Sequence, residues 1–191
     1  MTWLRQCLWA LSGVLLLVLG TFVGVYVVNP PWQWPTQGIW LWPVLSSWQV
    51  AAMLLTACLG GRAAATVAVV AYLTLGLMGW PVFTAMGGWG AVYHPGFGYL
   101  LGMIPGAWVC GDVAFRWPLT LENLALAGLL GLLSLHLVGW VGLALHYPHW
   151  PDWVSWVAHY SGTPLVGQLL ALGGVAVLAY GARRLGVAVR W

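Results

Sequence analysis

The sequence predicts an all-α polytopic membrane protein, with six transmembrane helices forming a single domain over residues 1–191. Three observations predict it. Hydrophobic residues make up 62% of the chain and charged residues only 5%, whereas a water-soluble domain carries about 25% charged residues to solvate its surface. Six apolar runs approach the length of about 20 residues that a helix needs to cross a bilayer. The arginines fall between these runs in alternation, and the chain has no lysine.

The first run, 7–28, follows Arg5 in MTWLRQCLWALSGVLLLVLGTFVGVYVV. It is too long for a signal-peptide core and no A-x-A cleavage site closes it, so it reads as a retained helix. Gly20 and Gly24 within it give the small-xxx-small spacing that lets two helices approach closely. The second and third runs, 44–60 and 62–80, are separated only by Gly60-Gly61-Arg62, which predicts a tight hairpin at one membrane face. The remaining helices are expected at 95–115, 121–145 and 164–182, with segments 29–43, 81–94, 116–120 and 146–163 between.

Arg5, Arg62, Arg116 and the trio Arg183, Arg184 and Arg190 all fall on one side of such a bundle. The positive-inside rule makes that side, and both termini, cytoplasmic. The other side holds Trp32, Trp34, Trp40, Trp42, Trp80, Trp89, Trp150, Trp153 and Trp156, together with His94, His146, His149 and His159. Indole rings belong at the headgroup level; a tryptophan-lined cavity for an amphipathic solute is the other reading.

Few motifs carry chemistry. Cys7, Cys58 and Cys110 form no CxxC pair, so neither a disulfide framework nor a thiolate metal site is expected. The glycine-rich stretch GWPVFTAMGGWGAVYHPGFGYLLG, 79–102, lacks the lysine and preceding strand of a phosphate loop. Irregular backbone at membrane depth needs burial by protein or a hydrated cavity, which leaves a structural re-entrant turn and a ligand-facing loop both open. His146, His149 and Asp152 have ligand-like spacing, but the prolines of HYPHWPDW argue for a solvated loop, and no metal is expected. His136 is the histidine inside a span: a pocket or ligand residue by default, or else a neutral imidazole bonded to a neighbouring helix. Asp112 and Glu122 flank Arg116, where surface pairing or contact with another subunit would use them. No catalytic constellation is evident, so no enzyme and no cofactor are expected. A handful of dispersed arginines also gives no nucleic-acid surface.

SSWQVAAMLLTACLGGR (46–62), AVVAYLTLGLMGWPVF (68–83) and HPGFGYLLGMIPGAW (94–108) together resemble the BioY family, the biotin-specific S components of energy-coupling-factor transporters, with cyanobacterial members most similar. The resemblance implies an S-component-like bundle with an outward pocket, biotin or a related amphipathic vitamin as substrate, and a transmembrane coupling subunit and ATPase pair as partners. Membrane lipid is a further expected partner, and another membrane complex is an alternative one. It places the chain in the inner (plasma) membrane of a bacterium, or the thylakoid of a cyanobacterial host. Substrate-binding positions carried over are Met86, Gly87, Gly88 and Trp89 of the loop, Tyr99, Gln168 and Trp48, with His136 and His94 as further pocket residues. Met86 stands where the family typically has a polar residue, and Gly167-Gln168-Leu169-Leu170-Ala171 stands where it usually has Gly-Asp-x-x-Lys. The lost charges at the start of the last helix and the tryptophan-rich outer face support an alternative, a BioY-like accessory or assembly subunit of a larger membrane complex, a photosynthetic one among the options, that holds lipid or pigment.

Overall fold

A computed structural model describes residues 3–84 and 87–186. Among the described residues five helical stretches are long and apolar enough to cross a membrane, the last of them running from Trp150 to Arg184, and one of the five is really two. Helix α1 (Trp3–Phe22) leads into a short antiparallel hairpin, β1 (Gly24–Val28) and β2 (Leu41–Ser47), joined through a single-turn helix α2 (Trp34–Gln37). There follow α3 (Gln49–Leu77), α4 (Phe97–Arg116), α5 (Leu121–His146), the short α6 (Trp150–Val157) and α7 (Thr163–Arg184).

Helix α3 turns back on itself at Gly61, whose φ of 79° is open to glycine but strained for other residues. A methyl on Gly13 of α1 would sit 2.6 Å from Thr56 Cγ2 and 2.8 Å from Ala68 Cβ. Twelve residues along a straight helix span about 18 Å, so only a fold-back brings Thr56 and Ala68 to one point on α1. The two arms of α3 and the four other long helices therefore make the six-helix bundle expected from the sequence, with the corner at Gly60-Gly61-Arg62.

Two expected boundaries move. The first helix stops at Phe22 and the second begins at Gln49, because Gly24–Val28 and Leu41–Ser47 pair as strands. Gly24 interrupts the helix and the valine-rich GVYVV favours extended backbone. Asn29, buried, fastens the hairpin end: its backbone N–H bonds Trp40 O (3.1 Å), its Nδ2 bonds Gly38 O (3.0 Å), and its Oδ1 accepts from Trp40 N–H (2.9 Å). Gly24 thus serves the strand, while Gly20 alone provides close approach, against the backbone of Trp48 and Gln49.

The tightest seam joins α4 and α5. A methyl on Gly98 would lie 2.9 Å from Gly142 Cα, and one on Gly106 would lie 2.9 Å from Gly131 O. Gly102 faces the Leu135 carbonyl in the same way. Small residues replace the hydrophobic driving force that lipid removes between helices. Meanwhile large apolar side chains such as Leu11, Leu15 and Leu19 of α1 point outward, as a lipid-solvated exterior requires. The chain is an integral membrane protein.

At one end of the bundle Asp112 accepts from Arg62 Nη1 (2.6 Å) and from Arg116 Nε (2.8 Å), tying the α3 corner to α4. Arg183 donates to Ala114 O (2.7 Å), while Arg184 bonds the Tyr180 hydroxyl. Both guanidiniums of the Asp112 pair are substantially exposed, 43% and 67%, so water screens them. Asp112→Asn is expected to cost only about 1 kcal/mol, read as a small fall in melting temperature that shrinks at high salt. It should leave any ligand site at the opposite end unchanged. Glu122 lies in the first turn of α5 behind the Thr120 cap, where a negative charge favours the helix dipole.

Candidate ligand site at the tryptophan end

The opposite end carries the hairpin, the segments after α3 and α5, and most of the indoles. Here the chain runs through α6 into α7 by way of a widened π turn, Ala158–Gly162. Pro148 lies in the break between α5 and α6, whereas Pro151 and Pro164 start helices: Pro151 lies in the first turn of α6 and Pro164 in that of α7. A proline has no N–H to donate and its ring crowds the carbonyl four residues back. The π turn ahead of Pro164 relieves that crowding, while the Thr163 N–H and hydroxyl both serve Ala158 O. One outcome of this turn is that Ser161 points into the bundle, buried.

Ser161 Oγ is the hub of a polar network. It lies 2.8 Å from Tyr99 Oη of α4, 2.9 Å from His136 Nδ1 of α5, and accepts from Trp140 Nε1–H at 2.8 Å. His136 Nε2 in turn lies 2.8 Å from Gln168 Oε1 of α7. The protons can be assigned by elimination. Gln168 Oε1 only accepts, so Nε2 carries a hydrogen; a neutral imidazole then has Nδ1 as acceptor, and Ser161 donates to it. Tyr99 donates to the second lone pair of Ser161. Every bond is satisfied with no charge, which a site without a nearby carboxylate requires.

Local packing explains why these groups converge. The buried face of α5 includes Leu132, Leu135, His136, Gly139 and Leu143, at the three- and four-residue spacing of one helix stripe. Gly139 leaves the space that the Tyr99 ring fills, since a methyl there would lie 2.5 Å from that ring. Above the network the rings continue outward. Tyr99 meets His136 edge-on (5.7 Å between centroids) and Tyr160 at 5.6 Å; Tyr160 stacks on Trp156 (5.7 Å), and Trp156 on Tyr147 (5.3 Å). Trp153 fixes the α6 side by donating to Trp140 O (3.0 Å).

Of the residues singled out from sequence, Tyr99, His136 and Gln168 come together directly. His94 is one ring further, 6.4 Å from Tyr160, with its Nδ1 accepting from Gly96 N–H. Trp48 is elsewhere: it lines an apolar groove of about 550 Å³ between α1, α3 and α7 that also includes Tyr26 and Ala171. Gly87 and Gly88 open a short 3-10 turn, Gly88–Tyr93, on which Trp89 is exposed. Met86 lies outside the described residues, as does Arg190. The base of that segment is anchored by Val82, whose carbonyl accepts from the buried Tyr72 hydroxyl (3.0 Å), and by Phe83, whose ring lies edge-on to that of Tyr72. His146 donates to Gly142 O, and among the described residues no three His, Cys, Asp or Glu side chains group as metal ligands.

Sequence reasoning missed Ser161, Trp140 and Tyr160. Serine, histidine and glutamine in a row resemble a nucleophile and its base, yet both lone pairs of Ser161 Oγ are occupied by Tyr99 and Trp140, and an amide stands where a carboxylate would orient the base. The arrangement is a neutral hydrogen-bonded network without the free nucleophile that such chemistry needs.

The BioY family model matches residues 4–187. The chain belongs to the BioY family. As a BioY protein it is a substrate-binding membrane protein of the transport kind and not an enzyme. Its fold is similar to that of the S-component for biotin from an ECF-type ABC transporter, solved at 2.1 Å, with a TM-score of 0.72 over 96% of this chain and 95% of that one at 17% identity. Two relatives match shorter stretches. An uncharacterized 26.1 kDa protein of the ndhB-psaI intergenic region in Mesostigma viride is 32% identical over 65 residues, 34% of this chain and 29% of its own length. An uncharacterized 21.2 kDa protein of the psbX-ycf33 intergenic region in Cyanophora paradoxa is 30% identical over 81 residues, 42% of this chain and 43% of its own length. The matched stretches thus span less than half of either relative.

Proposed function

We propose that this BioY-family chain is the biotin-binding S component of an uptake transporter, with its pocket at the tryptophan end and that end facing outward. The buried network of Tyr99, Ser161, His136 and Gln168 carries the reading, because it places uncharged donors and acceptors beneath a stack of aromatic rings. A ureido ring presents one carbonyl acceptor and two N–H donors. Beyond its bond to His136, Gln168 keeps its amide N–H donors and the second lone pair of Oε1 for a ligand, and the edges of Tyr160 and Trp156 would wall a bicyclic ring. The segment bearing Met86, Gly87, Gly88 and Trp89 would cover the pocket, hinged on the Val82 anchor.

The clustering of Arg62, Arg116, Arg183 and Arg184 at the other end supports a cytoplasmic arginine end in the inner (plasma) membrane. Energy for transport would come from a separate transmembrane coupling subunit and a pair of ATPases, since this sequence carries no phosphate loop. Calorimetric titration of the purified, detergent-solubilised chain with biotin tests the ligand. Saturable heat with a Kd below about 10 μM is expected; no heat at tens of micromolar removes biotin as the substrate. Co-purification with a larger membrane complex and not with a coupling subunit and ATPases would favour the accessory role.

A further inference from the structure

We infer that the site recognises its ligand by an uncharged heterocyclic head and does not use a negative charge on the ligand's tail. Ligands whose tail is neutral, such as esters and amides of the acid, then bind at least as tightly as the free acid. The inference rests on the biotin-binding reading above and specifies the substrate class for that same site.

The distribution of charge carries it. The chain contains six arginines and no lysine. Arg62 and Arg116 are committed to Asp112, Arg183 to Ala114 O and Arg184 to Tyr180, all at the arginine end. Gln168 and Arg183 lie fifteen residues apart on the same helix, about 22 Å at the α-helical rise. No side chain bridges that distance. Arg5 lies in the first turn of α1, one turn from Trp9, which packs against Gly60 at the α3 corner, and Arg190 follows α7 outside the described residues.

Imidazoles do not replace the missing cation inside the network. His136 has both ring nitrogens engaged in a pattern that closes without charge, and His94 Nδ1 accepts a backbone N–H. His159 meets Tyr160 at 5.0 Å and Trp156 at 6.0 Å edge-on but is exposed at the rim of the ring stack, so a carboxylate drawn into the buried network below it would lose its hydration without an ion partner. The tail of a bound acid therefore stays in water, contributing little, or is carried in a neutral form. Selection falls on the head, where Gln168, Tyr99 and the ring edges make the contacts.

The test titrates the full detergent-solubilised chain with biotin, biotin amide and biotin methyl ester by calorimetry at low and high salt. The expected result is that both neutral compounds bind with a Kd no more than about threefold above that of the acid, and that salt leaves the acid's Kd unchanged within the same margin. An acid that binds more than about threefold tighter than its amide overturns the inference while leaving the biotin-binding reading intact. Binding of the neutral compounds without the acid supports the inference and removes free biotin as the substrate. Silence from all three overturns both.

Discussion

Ser161→Ala is expected to reduce biotin affinity by about 100-fold or more, because one oxygen holds three side chains in place. Its removal leaves the Tyr99 hydroxyl, His136 Nδ1 and Trp140 Nε1 without their common partner. A buried polar group left unsatisfied costs about 1–3 kcal/mol, so water entry or rearrangement follows, and the ring stack loses its fixed base. Stability should fall by about 2–3 kcal/mol, less than the sum of three groups, since Tyr99 and Trp140 are half-buried and can turn toward water. Gln168→Leu separates the two effects. It leaves only His136 Nε2–H without its acceptor, so a smaller stability loss with an equally large loss of affinity would mark Gln168 as a ligand contact. Calorimetry paired with thermal melting reads both quantities on each variant.

Gly102→Ala carries the largest expected effect on folding. Its methyl would run into the Leu135 carbonyl at the centre of the α4–α5 seam, and a backbone atom cannot swing aside as a side-chain tip can. Overpacking of this kind costs about 1–3 kcal/mol or more, and here the two helices that present Tyr99 and His136 would be forced apart. We expect a lower melting temperature together with loss of ligand binding. Gly173→Ala is the matched control: on α7 its Cβ would meet nothing within 4 Å. Helix propensity alone should then stabilise it by up to about 1 kcal/mol. A seam that tolerated Gly102→Ala as well as α7 tolerates Gly173→Ala would contradict the packing described above.

The sequence made the bundle legible because lipid demands a simple pattern: long apolar runs with cations between them. Gly60-Gly61-Arg62 announced the fold-back of α3 even though both arms are short. The hairpin was not legible, since GVYVV has no polar residue to mark a two-residue period and reads equally as the end of a helix. At the site, His136 stood out as an ionisable group within an apolar span, whereas Tyr99 and Gln168 were carried over from the family resemblance. Ser161 did not stand out, because its position depends on a π turn induced by Pro164 and on helices that are distant in sequence. Pro148 and Pro151 were both read as breaking a loop, yet Pro151 sits in the first turn of α6, where its missing N–H has no partner to lose. Trp48, carried over from its place in a family segment, lines the groove between α1, α3 and α7 and does not join the Ser161 network.

The central claim is that the ligand's polar head lies on the neutral network at the tryptophan end. A structure of the chain determined with biotin bound tests it most directly. Density for the bicyclic head within hydrogen-bonding distance of Gln168 or Tyr99, with the edges of Tyr160 and Trp156 beside it, is the predicted result. Density confined to the apolar groove beside Trp48 and Ala171, with the Ser161 network untouched and dry, would contradict the account.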